Sequence, residues 1–135
     1  MIADVQMPPI DAGEWLSRFI LHKSHIRQDR TLRPDPFIPH PHADLSVTRH
    51  SGIDEKTLWL LGESVARQTG KPLHGRAETQ AKSYQGKKLS VVPAPVVGNP
   101  NHANVVGWPA DKAAQKMLAM EIAAESCFLP KSEGP

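Results

Sequence analysis

The sequence predicts a mixed α+β (α/β) fold: a short sheet of about three strands packed by two main helices, with proline-rich loops. Apolar residues recur at helical spacing in two long segments, short β-branched stretches alternate apolar with polar side chains, and 13 prolines interrupt the chain. The length of 135 residues suits one hydrophobic core. We expect an irregular lead-in over residues 1–13, one globular domain over residues 14–130 and a tail over residues 131–135.

The first third of the chain predicts one short helix, one connector and one strand. Residues 14–21 have four apolar side chains at the i, i+1, i+4, i+5 spacing of a helical face: Trp15, Leu16, Phe19 and Ile20. Residues 29–44 contain four prolines, which lack an N–H donor and favour an extended connector. Residues 45–50 alternate apolar with polar side chains, which predicts a half-buried strand.

The central segment predicts a helix with defined ends. Asp54 is a good N-cap, and Ile53 and Leu58 are spaced to form a hydrophobic staple across the first turn. Gly70 is a typical residue to follow a helix. The apolar side chains between these ends lie on one face, so we expect the helix to pack on a sheet.

Two short strands and one long helix are expected after a short helix over residues 77–84. Residues 89–92 and 103–108 are apolar, are rich in valine and predict the second and third strands. From residue 109 to about 127 helix-forming residues dominate, with Pro109 at the first helical position. Its apolar residues cover a broad face, which predicts burial of this helix against the sheet.

The net charge is only +2, but two windows are basic. Residues 18–33 hold five basic side chains against one acidic, and residues 67–88 hold six against one. If both windows share one face, that face attracts phosphates or another polyanion. The alternative is that solvated lysines and arginines simply keep the surface soluble.

Cysteine usage and the N-terminal residues predict a cytoplasmic protein. Cys127 is the only cysteine, so no intramolecular disulfide forms, which fits a reducing compartment. No apolar run reaches the roughly 18 residues that a membrane-spanning helix needs, so no membrane is expected as a partner. Residues 1–13 lack the basic start and long apolar core of a signal peptide.

The segment from residue 99 to residue 109 is the first candidate for a site, because it leads into the longest predicted helix. It carries His102 and Asn104 on a predicted strand that ends near a helix N-terminus, where unpaired N–H groups favour anions. Arginine grips phosphate with two parallel hydrogen bonds, and histidine exchanges protons near neutral pH. We therefore predict that His102 and His74 are catalytic.

Five further residues are predicted to bind a ligand or phosphate: Arg49, Arg76, Asn104, Lys87 and Lys88. The alternative is that these side chains satisfy buried carbonyls and cap loops. The sequence contains no phosphate-binding loop, no GxGxxG, no GxSxG and no HExxH, so the major cofactor enzymes are disfavoured and no cofactor is expected.

His40, His42 and Asp44 form an HxHxD run that resembles the metal-ligand run of the metallo-β-lactamase family. The resemblance covers five residues, Leu45 stands where that family has a further histidine, and the chain is too short for its four-layer fold. That family is therefore excluded, and no metal is predicted. Two interpretations of the run are left. It is either an exposed proline-rich loop, or a free-standing zinc or manganese site in which His50 or His102 joins His40 and His42.

Two functions from different classes fit these observations. The first is a small cytoplasmic binding or adaptor domain, of a prokaryotic type, that acts within a larger assembly with a protein partner and contacts a phosphate-bearing ligand or nucleic acid. The second is a small metal-independent hydrolase or transferase that acts on a nucleotide or RNA through its histidines and arginines.

Overall fold

The computed structural model describes residues 8–39 and 44–131. Six strands and three α-helices form in this part of the chain. Their bounds are β1 Trp15–Ile20, β2 Leu45–Arg49, α1 Glu55–Thr69, β3 Gly75–Gln80, α2 Ala81–Gln85, β4 Ser90–Pro93, β5 His102–Val106, α3 Lys112–Ala124 and β6 Cys127–Pro130. Two 3-10 helices, Lys23–His25 and Asp35–Phe37, lie between β1 and β2. The strands form one antiparallel sheet in the order β4-β5-β2-β1-β3-β6.

The prediction of a short sheet of three strands is therefore wrong, although a mixed α+β class is correct in outline. The largest error lies at residues 14–21, which were expected to be helical and instead form the central strand β1. Leu16 and Ile20 of β1 are buried in the main core, while Phe19 packs under α1 on the other face. A strand with apolar contacts on both faces lacks a clean period of two, so its pattern imitates that of a helix.

The sequence pattern also failed to indicate two further strands, β3 and β6. Residues 75–80 form β3, although residues 77–80 were expected to begin a short helix. Residues 127–130 form the edge strand β6, where the last helix was expected to end. β3 lies beside β1, and its charged residues Arg76 and Glu78 pair with each other along the strand, so charge does not mark it as a surface loop.

The ends of α1 agree with the prediction. The Asp54 carboxylate accepts a hydrogen bond from the Thr57 amide at 2.8 Å, and Gly70 adopts the left-handed conformation with φ of 68°. In contrast, α3 begins after Asp111, and its side chains Met117 and Met120 are 68% and 53% exposed. The expectation that this helix is buried over a broad face is therefore wrong. No helix in the described ranges is long and apolar enough to cross a membrane.

The two faces of the sheet have different coverings. One face forms the main core with α3 and the 3-10 helix Asp35–Phe37, through apolar side chains such as Leu16, Val47, Val105 and Ile122. The other face is covered by α1, which approaches so closely that a Cβ atom on Gly62 would lie 2.8 Å from the Phe19 ring. We call this second face the polar face, because a row of polar side chains crosses it.

A row of polar side chains crosses the polar face at right angles to the strands. The register pairs His102 with Thr48, Thr48 with Ser17, Ser17 with Glu78, and Glu78 with Cys127. Residues directly opposite each other in antiparallel strands project from the same face, so all five side chains share it. The fold thus brings chemistry-bearing residues from five strands into a single line.

The strands β1 and β2 separate beyond this row. Their only paired residues are Leu16 with Arg49 and Ser17 with Thr48, although all residues of both strands are described. Arg18 follows the last pair and spans the opening: its Nε donates to the Pro36 carbonyl at 2.7 Å and its Nη1 to the Ser46 carbonyl at 3.1 Å. This gap in the sheet positions the site.

Candidate anion-binding cleft

A cleft of about 530 Å³ lies where β1 and β2 separate. Its walls come from β1, β2, β5, the C-terminal half of α1, both 3-10 helices and the loop that joins β4 to β5. Apolar side chains including Phe19, Leu61 and Val65 line one part of it, and polar side chains line the rest. Small-molecule sites have volumes of roughly 300–1,000 Å³ and this mixed lining, so the cleft has the size and chemistry of a ligand site.

Arg18 is the best-fixed cation of the cleft. Its two hydrogen bonds to backbone carbonyls hold the guanidinium plane in one orientation. Burial lowers the pKa of this guanidinium, because desolvation disfavours its charged form. Within residues 8–39 and 44–131 it forms no salt bridge. A positive charge held without a counter-ion at the wall of a cleft favours a negatively charged ligand.

Lys71, His22 and His25 form a basic cluster on the same cleft. The Lys71 Nζ lies 3.3 Å from His22 Nε2, and the rings of His22 and His25 have centroids 4.7 Å apart. Desolvation and the nearby charges of His22, Arg18 and Lys71 lower the pKa of His25, opposed only by Asp35. Asp35 is also the only carboxylate among the described residues that line the cleft. The local field is therefore positive.

His102 lines the opposite side of the cleft in a fixed orientation. Its Nδ1 lies 2.9 Å from the Ala94 carbonyl oxygen, which only accepts, so the Nδ1–H donates. This bond places the proton of the neutral ring on Nδ1 and leaves Nε2 as a hydrogen-bond acceptor and proton acceptor. His102 is thus equipped to take up a proton from a bound molecule.

The loop beside His102 is fixed by two buried asparagines. Asn99 Nδ2 donates to the Thr48 hydroxyl at 3.0 Å, and Asn101 Nδ2 donates to the carbonyls of Arg49 and Ser51 at 2.9 and 2.7 Å. These bonds tie the β4–β5 loop to the end of β2. These hydrogen bonds explain the asparagine-rich sequence before His102 and hold one wall of the cleft in a fixed position.

A second polar cluster lies next to the cleft, on the polar face of the sheet. The Ser17 hydroxyl is 2.6 Å from His50 Nε2, and Glu78 is 3.8 Å from the same nitrogen. A catalytic triad needs its carboxylate on the other ring nitrogen, and Ser17 is only 1% exposed. Burial lowers the pKa of His50, against the opposing effect of Glu78. We therefore interpret this cluster as structural.

Arg76 belongs to this second cluster. Its guanidinium bonds to Glu78 at 2.9 Å, lies 3.5 Å from Glu55 and stacks over the Trp59 ring at 4.4 Å. The charge that made Arg76 a candidate phosphate ligand is thus already neutralised by two carboxylates.

The structure brings only some of the predicted site residues together. His102, Asn104 and Arg76 share the polar face, whereas Arg49 is paired with Leu16 in the register and projects from the core face. There the Arg49 guanidinium binds both carboxylate oxygens of Glu14, at 2.5 and 2.8 Å.

The remaining predicted residues lie outside the cleft. His74 precedes β3, where its backbone bonds to Ile20 and Lys131. Lys87 binds Glu125 and the Ser83 carbonyl, and Lys88 takes a positive φ of 65° in the turn before β4. His102 is the one predicted site residue that lines the cleft.

Sequence reasoning missed four cleft residues: Arg18, His22, His25 and Lys71. The available signal was the pair of basic windows, since Arg18 comes from the first window and Lys71 from the second. Each of the two basic windows thus contributes one side chain to the cleft. The individual residues were missed because residues 14–21 were assigned to a helix, which conceals which side chains face the gap.

The proposed metal ligands receive no support from the described residues. Across ranges 8–39 and 44–131, no group of three or more histidine, cysteine, aspartate or glutamate side chains is arranged to hold a metal ion. His40 and His42 lie outside the described residues. No protein-family model, curated protein or solved structure matches this chain, so the cleft is interpreted from its own geometry.

Proposed function

We propose that the protein binds a small organic anion in the cleft, with a phosphate-bearing compound as the favoured class. The observation that carries the proposal is the basic lining: Arg18, Lys71, His22 and His25 line one cleft, in which Asp35 is the one carboxylate among the described lining residues. Because a fixed guanidinium and an ammonium are the side chains that recognise phosphate best, a phosphate group accounts for this lining.

The rest of the cleft supports a ligand larger than inorganic phosphate. Phe19, Leu61 and Val65 offer an apolar wall, while Thr48 and Gln68 supply neutral hydrogen-bonding groups. A nucleotide-sized molecule has both a charged end and a flat, less polar end that suit such walls. In this proposal the protein is a binding domain of the cytoplasm, and its protein partner and any contact with nucleic acid remain predictions from the sequence.

Thermal unfolding in the presence of candidate ligands tests the proposal. Adenosine 5′-monophosphate and adenosine form a matched pair that differs only in the phosphate. The phosphate-bearing member should raise Tm, since a ligand at one hundred times its Kd adds about 2.7 kcal/mol of stability. At the same ligand concentration the Lys71→Gln variant should lose about half of this rise, and Lys116→Gln on the exposed side of α3 should keep it. A rise that is equal for both ligands, or equal in both variants, contradicts the proposal.

A second candidate function is the metal-independent hydrolase or transferase acting on a nucleotide or RNA. The fixed tautomer of His102 favours it, because Nε2 can accept a proton in the same cleft as the cations that would bind the phosphate. Turnover of nucleotides or short RNA by the wild-type protein, lost in His102→Gln while ligand binding persists, would support catalysis. Binding without any turnover would favour the binding domain.

A further inference from the structure

We propose that anion binding in this cleft takes up a proton on the His22–His25 pair, so that the affinity of the site is controlled by pH. The inference rests on the proposed function and adds its regulation. It is carried by three contacts that place two imidazoles and one ammonium at the same wall of the cleft.

The first step concerns His22 and Lys71. An ammonium has hydrogens to donate and no acceptor, so in the 3.3 Å contact the His22 Nε2 must be the acceptor. An imidazolium has a hydrogen on both nitrogens and cannot accept. The contact as found therefore requires a neutral His22 ring for as long as Lys71 donates to it.

The second step concerns the charges that face His25. Two positive groups face it, Arg18 from β1 and Lys71 after α1, and a proton on His22 of its own loop would add a third. Asp35, from the second 3-10 helix, is the one negative group among them. With its ring centroid 4.7 Å from that of His22, His25 cannot gain a charge without repulsion from its neighbours.

An anion in the cleft changes both conditions. Lys71 and Arg18 donate to the anion, which releases His22 Nε2 and cancels the repulsion at His25. Each change favours a proton on the pair, so the bound state holds more protons than the free state. By linkage the affinity rises as the pH falls, by up to about tenfold per pH unit for one proton. The rise ends once the free pair is itself protonated, below the ordinary histidine pKa of about 6.5.

Calorimetric titration with inorganic sulfate measures the proton directly. Sulfate has a constant charge in the range where histidine titrates, whereas phosphate gains a proton of its own with a pKa near 6. Titrations at about pH 7, at constant ionic strength and in two buffers of different ionisation enthalpy, give the number of protons taken up. We expect a positive proton uptake for the wild-type protein, with a ceiling of about one proton per sulfate.

Two variants locate the proton. The double variant His22→Gln/His25→Gln should bind sulfate with little or no proton uptake, and His74→Gln, outside the cleft, should retain the wild-type value. If the double variant does not fold, the pH dependence of wild-type sulfate affinity provides the same test without a substitution.

The outcomes separate the two proposals. Binding that depends on Lys71 but takes up no proton, or is independent of pH, overturns this inference and leaves the proposed function intact. Proton uptake that survives in the double variant also overturns it. If neither sulfate nor phosphate binds in a manner that depends on Lys71, both this inference and the proposed function are overturned.

Discussion

The cleft and the neighbouring cluster of Ser17, His50, Arg76 and Glu78 both contain arginine and histidine side chains, yet they differ in how charge is paired. In the cluster, Arg76 has two carboxylate neighbours and an aromatic ring beneath it, and His50 has a hydroxyl and a carboxylate. In the cleft, among the residues that the structure describes, the Arg18 guanidinium bonds only to neutral carbonyls and the Lys71 ammonium only to a histidine.

This difference separates structural residues from candidate ligand-binding residues. A buried ion pair satisfies its own charges and contributes to the uniqueness of the fold. A cation that is fixed by neutral groups and open to a cleft keeps most of its field for a partner.

The largest expected effect follows from removing the central charge of the cluster. Arg76→Leu leaves Glu78 half-buried without its partner and removes the stacking on Trp59. Loss of one member of a buried pair costs about 3–5 kcal/mol, and we expect about 3 kcal/mol because Glu78 is partly exposed. Urea unfolding measures the change. Sulfate affinity of the folded variant should stay within about twofold of wild type, and a much larger loss would mean that Arg76 serves the cleft.

The second prediction concerns the contact between α1 and the sheet, which sets one wall of the cleft. In Gly62→Ala the added methyl group would meet the Phe19 ring at 2.8 Å, so helix or ring must move. Overpacking costs about 1–3 kcal/mol, and the better helix propensity of alanine returns up to about 1 kcal/mol. We expect a net loss of about 1–2 kcal/mol in urea unfolding. A stabilised variant would show that α1 is not closely packed on Phe19.

Some parts of the fold follow from local sequence and others do not. The start and end of α1 depend on Asp54 and Gly70, whose side-chain and backbone preferences act over a few residues, and both were predicted. The identity of β1 depends on its position between β2 and β3 in the sheet and on the apolar contacts that the main core and α1 make with its two faces. No local pattern contains that information, so the same residues suggested a helix.

The candidate site shows the same division. The clustering of basic residues in two windows was visible in the sequence, and so was the potential of His102 as a proton acceptor. The sequence did not reveal that Arg49 and His102 would project from opposite faces, because that depends on strand register. The cleft itself exists because β1 and β2 stop pairing after Ser17 and Thr48, a non-local feature that leaves no motif.

The third prediction removes a cleft cation without touching the core. Lys71 is exposed, so Lys71→Gln should change the free energy of unfolding by no more than about 0.5 kcal/mol. The same change should weaken anion binding by about tenfold, which corresponds to the loss of one charged hydrogen bond of about 1.4 kcal/mol. Paired unfolding and calorimetric titrations test both halves. An unchanged affinity would indicate that Lys71 only complements the C-terminus of α1.

The smallest expected effect is the pH dependence that His50 gives to folding. Burial lowers the pKa of His50 in the folded state below the value of about 6.5 for an unfolded chain. Above that pH both states hold a neutral ring and stability does not depend on His50. As the pH falls below it, the unfolded state binds the proton first, so the free energy of unfolding decreases. Urea unfolding between about pH 5 and 8 should show this decrease, and His50→Gln should reduce it. A decrease of the same size in the variant would assign the effect to other groups.

The central claim is that the cleft, and not the adjacent cluster, receives the anion. Backbone amide chemical shifts recorded during a titration with adenosine 5′-monophosphate test this directly, because both regions are observed in the same spectrum. We expect saturable shifts concentrated at Arg18, His25, Lys71 and His102, with much smaller changes at His50 and Glu78. Shifts centred on His50 and Glu78, or no saturable shift at the cleft residues, would contradict the claim.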